Sequence, residues 1–190
     1  MSHFHGMTFQ WLGHATVHLQ TSKGTSVLID PWMESNPAHP KDWKAPKKID
    51  LVLCTHAHSD HIGDALSIEK KYASTFVAIH ELAGWLALKG VGKTVGMNIG
   101  GAYRFHDVSV SMVEARHSSG IDDKGNFIYA GEPAGYVIQV EGEPAIYHAG
   151  DTSLFSDMKL IRELYAPEIA CLPIGDHYTM GPRAAAMAAE

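Results

Sequence analysis

Several scarcities narrow the field. No apolar run approaches the roughly 18–20 residues that cross a bilayer, so no membrane-spanning helix is expected. The opening residues, Met1 to Met7, lack a basic stretch followed by an apolar one and do not form a secretory signal. Cysteine is reduced to Cys54 and Cys171, each inside an apolar strand-like run and neither at metal-motif spacing. Buried reduced thiols in a cytoplasmic protein are the expectation. Basic residues are outnumbered, giving a formal charge of −6, which argues against a general nucleic-acid binder. The local exception runs from Lys41 to Lys48, where Lys44 and Lys47 add to a segment that can attract an anionic substrate. The commoner meaning of such a run is a solvated loop.

What is present is enough for a sizeable core. With 190 residues and 45% hydrophobic content, the chain reads as one domain over residues 1–190, with residues 1–6, His3 and His5 among them, as a leader before Met7. Short β-rich segments, Thr8 to Leu12, Ala15 to Gln20 and Ser26 to Asp30, open it. No regular pattern then returns until Ile49, a length that marks a lid or binding loop, with Trp32 and Trp43 either walling a substrate or packing onto the body. Helices are expected over Ile62 to Tyr72 and His80 to Lys89, around a strand at Thr75 to Ile79. Strands follow at Ala102 to Phe105, Val108 to Ala115, Gly135 to Val140 and Ala145 to Tyr147. A helix over Ser156 to Tyr165 leads to a strand at Ile169 to Pro173. Pro182 opens a last Ala-rich helix that no cap signal closes, so the sequence reads as cut within an element.

The chemistry concentrates at Thr55-His56-Ala57-His58-Ser59-Asp60-His61, which follows the apolar run Ile49 to Cys54. In extended chain, residues two apart share a side, so His56 and His58 reach one cation. Asp60 and His61 fall where the chain turns into a helix and can face a second. A carboxylate among imidazoles suits zinc, manganese or iron better than calcium. The competing reading is a histidine-rich surface loop in a chain with 13 histidines. Two more strand ends carry candidates: His117, a third nitrogen beside His56 and His58, and Asp151, a carboxylate placed between two metals. Three protein ligands plus water make the open site that catalysis uses.

The order Asp30, His56-x-His58-x-Asp60-His61, His117, Asp151 resembles the metallo-β-lactamase superfamily. Within it, Gly13-His14-Ala15, Asp30-Pro31, Asn98-Ile99-Gly100-Gly101-Ala102-Tyr103, His117-Ser118-Ser119-Gly120, Tyr147-His148-Ala149-Gly150-Asp151-Thr152, Phe155-Ser156-Asp157-Met158-Lys159 and Leu172-Pro173-Ile174-Gly175-Asp176 are similar to bacterial metal-dependent hydrolases related to ascorbate-6-phosphate lactonase. The resemblance covers about Met7 to Glu190. It implies an α/β fold, an αββα sandwich with a dinuclear site at the edge of two facing sheets. Carried over by position, His56, His58 and His117 hold one metal, Asp60 and His61 the second, and Asp151 bridges, while Asp30 supports the ligand loop. The family supplies one more histidine after the last helix, and this chain stops inside that helix. His177 precedes the expected position, so it is read as lining the site.

The resemblance implies a hydrolase loaded with one or two Zn2+ or Mn2+ ions. Metal-held hydroxide would attack a lactone or phosphoester-type substrate, with Asp60 or Asp151 orienting the nucleophile and moving its proton. His14, His148 and His177 are the candidates for contacting substrate. No Gly-x-Ser-x-Gly elbow activates Ser118 or Ser119 as a nucleophile. The alternative is a non-catalytic metal-binding or sensory protein that kept the fold. A small-molecule substrate, no nucleic acid, no membrane and a homo-oligomer formed through an exposed sheet edge complete the expectation.

Overall fold

The computed structural model describes residues 2–4 and 6–190; the His3 side chain and His5, both read as leader, lie outside what it describes. Two sheets carry the architecture. The first is built from Ser2–Phe4 (β1), Met7–Trp11 (β2), Val17–Gln20 (β3), Ser26–Ile29 (β4), Leu51–Leu53 (β5), Thr75–Ile79 (β6) and Thr94–Met97 (β7), paired in that spatial order. It runs antiparallel from β1 to β4 and parallel from β4 to β7. The change at β4 requires crossovers, supplied by the long loop before β5 and by the helices Ser59–Ile62 (α1), Ala65–Tyr72 (α2) and His80–Leu88 (α3).

The second sheet holds Ala102–Phe105 (β8) and Val108–Glu114 (β9), then skips the two-stranded hairpin Gly120–Asp123 (β10) and Asn126–Tyr129 (β11). It resumes with Ala134–Val140 (β12), Ile146–His148 (β13) and Ile169–Cys171 (β14), in the order β14-β13-β12-β9-β8. Met158–Tyr165 (α4) lies between β13 and β14, and Pro182–Ala189 (α5) follows.

Side-chain alternation sorts the layers. In β9 and β12, Val110, Met112, Tyr136 and Ile138 enter the shared core with Val27, Leu51, Phe76 and Val77 of the first sheet. Their neighbours Val113 and Val137 face outward and meet Met158, Ile161 and Ala185 of α4 and α5. On the other side, Ile68, Leu82 and Leu86 press α2 and α3 onto the first sheet. The sandwich is therefore αββα. A polar clasp joins its layers: the fully buried Tyr136 hydroxyl donates to Cys54 O at 2.9 Å, with Val77 O at 3.3 Å.

Local differences from the sequence pattern have physical causes. β3 begins at Val17 because Gly13–Thr16 forms a tight turn, with Thr16 N donating to Gly13 O. The single helix expected from Ile62 splits into α1 and α2 at Gly63-Asp64, where the Asp64 carboxylate accepts from the backbone of Met33 and Glu34. β7, β10 and β11 carry too little apolar alternation to stand out in sequence; β11 is exposed along its whole length. Trp43 in the long loop packs on the rings of His18 and His39.

Candidate active site

Four strand ends and one turn converge. β4 leads into Asp30, β5 into the His56–His61 segment, β9 into His117 and β13 into Asp151, while the turn after β2 brings His14. Backbone and hydroxyl bonds fix these segments to one another. Ala57 N donates to Ser119 Oγ at 3.2 Å, Arg116 N to Thr152 Oγ1 at 2.9 Å, and Ser153 N to Arg116 O at 3.1 Å. Gly150 allows the closest approach. A Cβ there would meet Thr55 Cβ at 2.8 Å and Ala134 O at 3.0 Å, and its φ of +62° suits glycine.

Asp30 is the buried anchor. Its carboxylate accepts from Thr55 N at 2.8 Å, Thr55 Oγ1 at 2.7 Å and His61 Nδ1 at 2.8 Å, so a fully buried anion keeps three donors. Thr55 Oγ1 spends its proton on Asp30 and therefore accepts from His56 Nδ1 at 3.0 Å. One carboxylate thus fixes the tautomers of two rings and turns both Nε2 atoms to the site.

The free ring atoms meet carboxylates and each other. His56 Nε2 lies 3.0 Å from His58 Nδ1. His61 Nε2 lies 3.4 Å from Asp151 Oδ2, and His117 Nε2 3.7 Å from the same oxygen. His14 Nε2 lies 3.2 Å from both Asp60 Oδ2 and His61 Nε2. Three donor sets, each with its atoms within 4.8 Å of one another, result: His56, His58 and His117; His56, His61 and Asp151; His14, Asp60 and His61. Imidazole with carboxylate suits zinc, manganese or iron.

Protonation follows burial and charge. Burial holds His56 well below its ordinary pKa, aided by the His61, His58 and His117 rings, and burial likewise lowers His58 and His117. Their lone pairs are free at neutral pH, as coordination needs. The hydrogen bond from His14 holds Asp60 down at about 2. Burial works against ionised Asp151, yet the His61 hydrogen bond and nearby imidazole charge keep its pKa low. Burial also opposes charge on His61, but Asp30 and Asp151 outweigh it and push its pKa well up. A proton thus sits between carboxylates where a cation is equally at home.

The six ligand candidates from the sequence, His56, His58, Asp60, His61, His117 and Asp151, are therefore brought together. His14 joins them and is not merely nearby. His148 has both ring nitrogens engaged, Nε2 to Ala15 O at 2.8 Å and Nδ1 accepting from Gly150 N at 3.2 Å. It ties β13 to the turn that carries His14. His177 is exposed, its ring against Tyr178, and it is Tyr178 and Thr179 that reach the cavity. That cavity, about 980 Å³, opens over the cluster between β2–β3 and β14. Phe9, Trp11, Val17, Leu172 and Ile174 give it an apolar wall, and neither lysine nor arginine lines it. The basic segment from Lys41 to Lys48 is thus not part of the wall, and neither Trp32 nor Trp43 is.

A family model described as the β-lactamase superfamily domain matches residues 25–190. The chain belongs to the metallo-β-lactamase superfamily. Its relatives in that superfamily include a UPF0173 metal-dependent hydrolase of Koribacter versatilis, 53% identical over 97% of this chain and 79% of the relative. One from Methanopyrus kandleri is 47% identical, with the same shares covered. Among solved structures, the metallo hydrolase Igni18 of Ignicoccus hospitalis is similar at TM-score 0.81 and 39% identity, covering 95% of this chain and 76% of that one. The αββα sandwich is the superfamily fold, as the resemblance implied.

Proposed function

We propose that this metal-dependent hydrolase cleaves a lactone or phosphoester-type substrate at a dinuclear centre. His56, His58 and His117 hold one cation, Asp60 and His61 the other, and Asp151 stands between them. The observation that carries this reading is the convergence of His58, His117 and Asp151 on the floor of one cavity, with His56 buried directly behind them and within ligand spacing of each. Bound cations of this kind supply an acidified water and positive charge for a developing oxyanion. The chain's own residues do the rest. Asp60 or Asp151, both ionised, orients the attacking water and takes its one proton, and the apolar wall seats the body of the substrate while limiting competing solvent. Of the two substrate types, the wall favours the lactone, since a phosphoester would find no lysine or arginine there.

The test pairs metal analysis with turnover. The protein is expected to carry transition metal and to open lactones in a chelator-sensitive way. His58→Ala should lose both metal and at least about 100-fold in kcat/KM, because the ligand and the positioned water go together. Stoichiometric metal without turnover on lactones, phosphomonoesters or phosphodiesters would favour a binding or sensory protein instead.

A further inference from the structure

We propose that His14 is itself a ligand of the second cation, resting on the dinuclear reading above. Geometry is the first argument. Donors about 2.0–2.1 Å from a tetrahedral ion stand about 3.3–3.4 Å apart, the edge of that tetrahedron. His14 Nε2 lies 3.2 Å from Asp60 Oδ2 and 3.2 Å from His61 Nε2, and His61 Nε2 lies 3.4 Å from Asp151 Oδ2. Three donors from two separate segments, His14, Asp60 and His61, thus stand at the spacing of one coordination shell, and Asp151 reaches the His61 corner from a third segment.

The second argument is chemical. The His14–Asp60 contact alone would be an ordinary ion pair, but the same His14 nitrogen faces a second imidazole nitrogen at equal distance. Each nitrogen has a carboxylate to hold its proton, Asp60 for His14 and Asp151 for His61, so two N–H groups face one another at 3.2 Å; a cation that displaces both protons turns that opposition into coordination by both nitrogens.

The third is the backbone. His14 has φ of 50°, and Gly13 before it has φ of 95° with Ala38 O only 2.7 Å from where a Cβ would stand. Left-handed backbone is disfavoured at a non-glycine residue and persists only where the surroundings hold it. Here it is held in place by Trp11 Nε1 donating to His14 O at 2.7 Å, His148 donating to Ala15 O, and the edge of the His14 ring against Trp32 at 5.2 Å. The turn is built to aim this ring.

The experiment compares the native chain with His14→Gly and His14→Asn, both of which tolerate the left-handed backbone. Each metal-free protein is titrated with Co2+, reading stoichiometry by elemental analysis and coordination by the visible d–d absorption. The native chain should take two ions. Both variants should keep the first with unchanged affinity and bind the second at least tenfold more weakly, and added imidazole should restore the second spectrum in His14→Gly. Unchanged second-ion affinity and spectrum in both variants would overturn the assignment while leaving the hydrolase reading intact. A native chain that binds no transition metal would instead defeat the hydrolase reading itself.

Discussion

At the scale of single residues, Asp30 governs more of the site than any side chain that would touch a cation. It is fully buried and bonded to Thr55 and His61, and through Thr55 it orients His56. Asp30→Asn places an amide among three donors, so one N–H meets another and the tautomers are no longer dictated. Loss of such a supporting carboxylate typically costs 10–100-fold in metal affinity. That range is the expected drop, measured by competition with a chromophoric chelator; unchanged affinity would count against the relay. The raised pKa of His61 adds a second expectation. Its proton must leave when a cation arrives, so metal uptake at pH 7 should release about one proton from this ring, detectable in weakly buffered indicator dye.

At the scale of elements, strand β3 is covered on both faces. Val17 and Leu19 enter the core, while His18 lies beneath Trp43 and bonds Ser26 Oγ at 2.9 Å. Burial holds the His18 pKa down at about 4. Between that value and the unfolded value near 6.5, the unfolded chain binds a proton that the folded chain refuses. Stability therefore rises with pH across this window and is lost as pH falls through it, by about 3 kcal/mol for this one group. His18→Gln, which keeps a partner for Ser26, should flatten that limb in urea unfolding followed from pH 7 to 4. The same strand shows what sequence can and cannot reveal. Alternation located β2, β3, β4, β9 and β12, and spacing brought His56 to His61 to notice, because both patterns are local. Thr55, Ser119 and Thr16, whose hydroxyl donates to Asp30 O at 2.6 Å, act by bonding segments distant in sequence, and although Thr55 and Ser119 stand beside candidate ligands, no local pattern reveals those partners. His14 stood out only through its Gly-His-Ala setting, and whether its ring met substrate or carboxylate depended on a backbone angle that spacing does not encode.

At the scale of the molecule, the site is where the two sheets are fastened together. Donors come from the ends of β5 in one sheet and of β9 and β13 in the other. A cation held by them cross-links the layers, and anything bound only by the folded state stabilises it, by about 2.7 kcal/mol at a hundredfold excess over Kd. For a chain of this size each kcal/mol moves Tm by roughly 2–4 °C. Chelation is thus expected to lower Tm by about 5–10 °C, read by calorimetry with and without added metal. An unchanged Tm would mean that the sheets hold their spacing unaided. No helix among the described residues is long and apolar enough to cross a membrane. Among the described residues, β14 is an edge strand of its sheet.

The shared anchor at Asp30 also limits what evolution or an engineer can do with the site. Because a single anion disciplines rings assigned to different ions, neither ion's binding strength can be tuned at that position without altering its neighbour's. Attempts to convert the centre to a new metal should therefore succeed sooner by exchanging outward-facing donors such as Asp60 than by changing the support beneath.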